Sequence, residues 1–437
     1  MTPRSDATAF VGLSHLGIVS SIAWASWDRP VMGYDADPGR IKALEAGNLP
    51  IHEPGLPELF AKTRDLLRFT SDVKALSDCP LVIVSLDVPT GADNVSDLTP
   101  VVALVERIIP VLQDGVVLVI MSQVPPGFTR SLSARIKQIR PTLSFTLYYL
   151  VETLIFGRAV ERAIKPERFI IGCADTGQPL AKVFERGLEA FKCPILPMRY
   201  ESAELTKTAI NLYLVGAVTY TNTLADLCAE LGADWEEMIP ALRLDQRIGP
   251  AAYLRPSLGI AGGNLERDLL TLKGLCDRDG VDACYLASLL EYNARRYHWV
   301  LRMLREHVFG KEPAPRLAIW GLTYKKNTRS MKNSPALRLI NDLGMAADIR
   351  AWDPVISATD VDVPARVLTN RDAVLDGADG LLILSDWDEF STCDPAVIRT
   401  AMRRPVVIDC VGALENRRDD LKGIRYVSMG RAVQGRQ

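Results

Sequence analysis

The sequence predicts an α/β fold in which two doubly wound domains are joined by a central domain of long helices. Three observations predict it. Short apolar runs bounded by Gly, Pro and Asp occur at 7–11, 30–34, 81–86 and 116–121 and alternate with helix-like stretches. A helix-like stretch then covers 202–231, with no proline and only Gly216 inside it. Apolar runs resume at 316–320, 347–352, 380–384 and 405–408.

Strands buried on both faces of a parallel sheet read as continuous apolar runs rather than as alternating ones. Their alternation with helices implies crossover connections and a doubly wound sheet. Gly232 follows the long stretch as a C-terminal cap. A second helical run, 284–308, precedes Gly310 and Pro313. Such a middle segment can bridge two domains and offer an apolar face to a second subunit. The two ends read as two copies of one architecture, with expected domains at 1–197, 198–312 and 313–437.

Composition sets the bounds. A chain of 437 residues has room for two or three domains, and 48% hydrophobic with 24% charged residues is ordinary for a globular protein. The net charge of -2 supplies no global positive field for nucleic acid or an anionic membrane. The eight cysteines are scattered without a C-x-x-C pair, so neither a zinc site nor a disulfide framework is expected. Most of them sit in apolar contexts and read as inert, buried small side chains. The N-terminus lacks the apolar core of a signal peptide, and no apolar run is long enough to span a bilayer. The expected setting is the cytoplasm.

The first apolar run leads into Gly12-Leu13-Ser14-His15-Leu16-Gly17, a G-x-G-x-x-G position with serine at the second glycine. Gly12 permits the tight turn and Gly17 close helix–strand packing, while Ser14 and Leu16 border the phosphate path. The helix that starts here offers free N–H groups and the positive end of its dipole. Asp35 closes the next strand, at the distance of an acid that binds adenosine ribose hydroxyls. A carboxylate there repels a 2′-phosphate, so NAD is favoured over NADP, a preference that Arg40 weakens slightly. An imperfect glycine loop alone is equally a tight turn. Its place after a first strand, with Asp35 ending the second, selects a Rossmann-like nucleotide site. His15 reads as a solvent-facing loop residue.

From here the chain resembles the UDP-glucose/GDP-mannose dehydrogenase family over nearly its whole length. Asn48 to Leu56 is similar to "GxxPIxEPGL", Val88-Pro89-Thr90 to "VPT" and Val124 to Gly127 to "TVPPGT", with Gln123 for the family's threonine. Lys165 to Arg168 with Ile171-Gly172 resembles "NPDRVVIG". Ala203-Glu204-Leu205-Thr206-Lys207 with Asn211 resembles "AELxKxxxN", and Asp245 to Gly249 the "DxRIG" segment. Gly321 to Thr328 resembles "GxxFKxxT", and Trp352-Asp353-Pro354 and Asp386 to Phe390 also fit.

The resemblance implies two hydride transfers from a sugar C6 to NAD, with the aldehyde held as a thiohemiacetal on a cysteine in "GFGGSCFPKD". The matching stretch here is Gly259 to Asp268, and Asn264 takes the cysteine's place. Cys276 lies too far along to substitute without a register change. An amide nitrogen is not a usable nucleophile at neutral pH. The rest of a one-step hydride site is implied. Lys207 would stabilise alkoxide character, Asp268 would accept a proton or orient a water, and Asn211 would bond the same oxygen. Glu152 matches the first glutamate of "PEFLxEG", and Phe156 replaces the second. Thr90 and Gln123 would flank the cofactor. Without the resemblance, Lys207 and Glu204 would read as an i,i+3 ion pair, and Asp268 beside Arg267 and Glu266 as surface charge.

On the substrate side the resemblance implies Lys325 and Lys332 for the phosphates or sugar, with lysine at 332 replacing an arginine fork. Arg247 would reach across a homodimer, and Tyr253 and Gly259 belong to the same substrate-binding stretch. Val411 replaces an arginine of "DGRN". Three functions follow: an NAD-dependent oxidoreductase that stops after two electrons, a nucleotide-sugar epimerase or isomerase with transient oxidation, and a non-catalytic nucleotide-sugar binding protein. A UDP-sugar is the expected substrate, with no nucleic-acid or membrane partner and no metal.

Overall fold

The computed structural model describes residues 7–91, 94–310 and 314–432. Pro313 and the expected 312/313 boundary lie outside the described residues. The chain divides into two compact units, Met1–Ile210 and Asn211–Gln437.

The first unit is built on eight strands: β1 Thr8–Val11, β2 Val31–Tyr34, β3 Leu67–Thr70, β4 Leu81–Val84, β5 Val116–Ile120, β6 Phe145–Leu150, β7 Phe169–Cys173 and β8 Ile195–Arg199. Their order is β3-β2-β1-β4-β5-β6-β7-β8. Neighbours are parallel, as in Thr8↔Val31 and Val11↔Val84, except for the antiparallel pair β6 and β7. Side chains alternate across the sheet. Phe10 enters a core on one face with Ile83, Val117 and Phe184, while Ala9 and Val11 enter a core on the other with Val82, Leu118 and Ile136. Continuous apolar strands are thus explained by burial on both faces.

The second unit repeats the plan. β9 Arg316–Trp320, β10 Asp348–Trp352, β11 Arg366–Val367, β12 Gly380–Ile383, β13 Val406–Asp409 and β14 Arg425–Ser428 form an all-parallel sheet of order β11-β10-β9-β12-β13-β14. This is the order of the first six strands of the other sheet, so the expected duplicated architecture is present. Leu317 and Ile319 face one core, and Ala318 and Trp320 the other.

The long helix runs over Tyr200–Leu231, two residues earlier than expected. Gly232 ends it with φ +75°, and the Ala233 N–H returns to the Cys228 carbonyl at 3.0 Å. The expected single helix 284–308 is two helices, Cys284–Arg295 and His298–His307. Neither Gly nor Pro marks the break. The buried Arg296 sits there and donates to Ser257 O at 2.9 Å and to Asp226 Oδ2 at 2.6 Å. Tertiary anchoring of that guanidinium interrupts a pattern that local propensity would continue. Among the described residues no helix is long and apolar enough to cross a membrane.

Candidate functional site

In the first unit the glycine loop lies between β1 and the helix His15–Ala25. Gly12 has φ +89°, and a Cβ there would come within 2.8 Å of Leu86 Cβ. A Cβ on Gly17 would lie 2.0 Å from the Gly12 oxygen, so both positions need glycine. Asp35, at the end of β2, is buried. Its carboxylate accepts Leu13 N–H at 2.8 Å, Asp37 N–H at 3.0 Å and the Arg40 guanidinium at 2.9 Å. The cradle, the helix start and the acid after β2 therefore fit a dinucleotide. Thr90 forms a short bridge with Ser96 after β4, and Gln123 lies just past β5.

Asp87 also lies at this loop, and sequence reasoning passed over it. Its carboxylate accepts the Leu16 N–H at 3.2 Å, and its own N–H donates to Ser14 Oγ at 2.8 Å. The only sequence signal was an acidic residue directly before the Val88-Pro89-Thr90 turn.

His15 is not a solvent-facing loop residue. It is the first helical residue, its ring packs on Phe156 with centroids 4.5 Å apart, and Nε2 meets Glu53 Oε1 at 2.8 Å. Glu53 is buried and also accepts the Gly157 and Ala159 N–H groups, at 2.9 and 3.3 Å. Burial alone would raise its carboxyl, but the bonds from His15 and these amides outweigh burial and hold it below the ordinary carboxylate range. The Glu53 of the "PIxEPGL"-like segment is thus a tie between the glycine-loop helix and the 157–159 loop.

Lys207 does not pair with Glu204. Glu204 is buried and accepts Gly127 N–H at 2.6 Å and Thr129 N–H at 2.8 Å, holding the start of the helix Phe128–Ile139. Burial prevails over those bonds and pushes its carboxyl above the ordinary range. Lys207 Nζ instead donates to the Glu152 main-chain oxygen at 2.9 Å and to its carboxylate at 3.3 Å. Glu152 also accepts the Leu154 N–H. The structure therefore brings Glu152 and Lys207 together.

In the second unit Asn211 Nδ2 donates to Asp268 Oδ2 at 2.5 Å, and the Arg267 guanidinium lies 3.3 Å from Oδ1. All three residues are buried, so Asp268 and Arg267 are not surface charge. Asp268 lies on the helix Asn264–Asp279, one turn after the exposed Asn264 that begins it. The loop before this helix packs on the segment after β9. Gly262 N–H donates to Lys332 O at 3.0 Å, Asn333 Nδ2 donates to Gly262 O at 3.0 Å and to Glu266 Oε2 at 3.1 Å, and a Cβ on Gly262 would be 3.0 Å from Tyr324. Lys332 thus lies on the segment that touches the loop leading into Asn264. Lys325 lies over the Tyr324 ring, 5.5 Å from its centroid. Gly259 has φ +95°, and its missing Cβ leaves room for Asn293 Oδ1, which accepts Ile260 N–H at 2.7 Å.

Arg247 stands apart, with 89% of its side chain exposed and its guanidinium on Asp245 at 2.6 Å. Tyr253 is also exposed. A separate cavity of about 390 Å³ is lined by Arg243, Arg255, Asp409, Val411 and Glu415. Asp409, one of the residues that line it, accepts Leu414 N–H and Tyr426 OH, each at 2.9 Å. Complete burial raises the Asp409 carboxyl.

Three profiles of the UDP-glucose/GDP-mannose dehydrogenase family match the chain. The NAD binding domain matches residues 7–186, the central domain 201–295 and the UDP binding domain 318–416. The chain is 28% identical over 437 residues to UDP-glucose 6-dehydrogenase TuaD of Bacillus subtilis, covering 98% of this chain and 94% of that protein. It is 29% identical over 439 residues to the UDP-glucose 6-dehydrogenase of Rhizobium meliloti, covering 96% and 98%. Among solved structures, a UDP-glucose dehydrogenase of Pyrobaculum islandicum shares the fold with a TM-score of 0.84 at 24% identity, covering 99% of this chain and all of that one.

Proposed function

The chain belongs to the UDP-glucose/GDP-mannose dehydrogenase family, and from that premise we propose an NAD-dependent oxidoreductase that removes two electrons from a CH–OH group of a UDP-sugar resembling UDP-glucose. One observation carries the two-electron limit. Asn264 is the first residue of its helix, at the position where the resemblance puts the thiol nucleophile. A carboxamide cannot form the thiohemiacetal through which an aldehyde is carried to an acid. Cys276 is on the same unbroken helix, twelve residues on, about 18 Å along the axis at 1.5 Å per residue.

NAD, when bound, accepts the hydride. Gly12, Ser14, Leu16 and Gly17 would cradle its diphosphate, Asp35 and Arg40 its adenosine ribose, with Thr90 and Gln123 alongside. Lys207, oriented by Glu152, would stabilise negative charge on the sugar oxygen. Asn211 would hydrogen-bond that oxygen, and Asp268 would accept its proton or orient a water. Lys325 and Lys332 would meet the substrate phosphates, with Gly259 shaping the loop beside them.

The segments 1–197, 198–312 and 313–437 would serve cofactor binding, dimerisation and UDP-sugar binding. A homodimer is supported by the long helix, where the exposed Tyr213, Tyr220 and Leu227 recur every seven residues along one face. Arg247 and Tyr253 would then act on the partner's substrate. The proposed setting is the cytoplasm.

The test is incubation with NAD and a panel of UDP- and GDP-sugars, following absorbance at 340 nm and product mass. One NADH per sugar, with loss of two hydrogens, supports the proposal. A uronic acid with two NADH overturns the role of Asn264. An isomer of unchanged mass without NADH indicates an epimerase, and binding without turnover a non-catalytic protein.

A further inference from the structure

The first turn of the glycine-loop helix already carries an anion of its own. Ser14 stands at the N-terminal end of that helix, where a serine hydroxyl ordinarily accepts an N–H from the first turn, yet its side chain makes no such bond. Ser14 Oγ accepts the Asp87 N–H at 2.8 Å and reaches the Ser85 carbonyl at 3.4 Å. Asp87, just beyond β4, takes over the capping and accepts the Leu16 N–H on Oδ2 at 3.2 Å. The Leu16 amide is one of the donors that a helix start leaves without an intrahelical partner, and that a diphosphate engages.

We propose that Asp87 determines cofactor affinity: its carboxylate competes with the dinucleotide diphosphate for the Leu16 N–H, and Ser14 holds it in place. The proposal rests on the assignment of the first unit as the NAD-binding unit. A diphosphate on this helix start leaves Asp87 two options. It stays, and two like charges share one amide at close range. Or it turns into water, which its exposed position allows, and gives up its hydrogen bond. Both options weaken cofactor binding relative to a chain with no charge at 87. Ser14 contributes from the other side, because its hydroxyl fixes the Asp87 main chain against the loop. With glycine at 14 the carboxylate loses that anchor.

The experiment is a fluorescence titration of the full-length protein with NADH at low and high ionic strength, on wild type, Asp87→Asn and Ser14→Gly. Thermal unfolding of each variant is recorded alongside. Asp87→Asn keeps an acceptor for Leu16 and removes only the charge. Its Kd is expected to fall about fivefold to tenfold, the size of a like-charge contact at a solvated site. Ser14→Gly is expected to move Kd in the same direction by less. The gap between wild type and Asp87→Asn should narrow at high salt, because the repulsion is screened. Binding by the wild type with an unchanged or weaker Kd in a normally folded Asp87→Asn overturns the proposal alone. No binding by any of the three proteins overturns the cofactor assignment, and the proposal with it.

Discussion

Lys207 Nζ lies 2.9 Å from the main-chain oxygen of Glu152 and 3.3 Å from its carboxylate. The long helix supplies the ammonium, and the segment after β6 supplies both acceptors. A backbone carbonyl cannot be titrated away, so the amine is oriented whatever the state of the carboxylate. Replacing Lys207 by Met should therefore lower kcat by about 10²- to 10³-fold, the effect of losing one fixed donor to a developing oxyanion. Lys207→Arg should rescue little, since a planar fork does not reproduce a point charge. The measurement is NADH formation with whichever UDP-sugar the wild type turns over. A loss of less than about tenfold in Lys207→Met would remove this residue from the chemistry.

Asp268 is buried between Asn211 and Arg267. Asp268→Asn should reduce turnover by about 10²- to 10⁴-fold if the carboxylate handles a proton. It should also destabilise the fold by about 2–4 kcal/mol, because the buried Arg267 then faces an uncharged neighbour. Denaturant unfolding and single-turnover kinetics on the same sample separate the two effects. Lost stability with full activity would make Asp268 a scaffold residue.

Glu53 should contribute to acid sensitivity. Its carboxyl is depressed in the folded chain, so the folded state binds the proton less readily than the unfolded one. The stabilisation is complete above the unfolded carboxylate value of about 4.3 and disappears as pH falls through the lower folded value. Glu53→Gln should flatten that acid limb in denaturant midpoints taken from about pH 6 to about pH 3. An unchanged acid limb would show that the tie between His15 and the Gly157 loop does not couple to folding.

Turnover should resist thiol reagents. Cys284 is exposed, Cys193 and Cys276 are half-buried, and the other five cysteines are buried. Burial raises the Cys79 and Cys393 thiols to about 11, which keeps them as unreactive thiols at neutral pH. Iodoacetamide should label Cys284 first by mass and leave the rate of the first oxidation within about twofold. Rapid inactivation that tracks labelling of any one cysteine would contradict a cysteine-free mechanism.

Much of the architecture was legible in the chain. The runs at 7–11, 81–86 and 316–320 became β1, β4 and β9 because both faces of each sheet are covered, so burial imposes one apolar block per strand. β3, β6, β7, β8, β11 and β14 have no counterpart among the apolar runs read from the sequence; in the edge strands β3 and β8 polar side chains such as Arg68 and Arg199 interrupt the apolar block. The roles of Glu204 and Glu53 were hidden for another reason. Each carboxylate bonds main-chain N–H groups far away in sequence, and no local pattern marks such a partner.

By itself, the sequence determined the two doubly wound units, the long helix with its Gly232 cap and the glycine loop followed by Asp35. These follow from periodicity, backbone conformation and side-chain chemistry, which are local properties. Only the tertiary structure decided that Lys207 turns to Glu152 rather than Glu204, that Asp268 and Arg267 are buried, that a buried Arg296 breaks an otherwise continuous helix, and that Asp87 occupies the Leu16 amide. Each of those depends on which distant groups a side chain meets once the sheets close, because a charge in the interior goes where its hydrogen bonds can be satisfied.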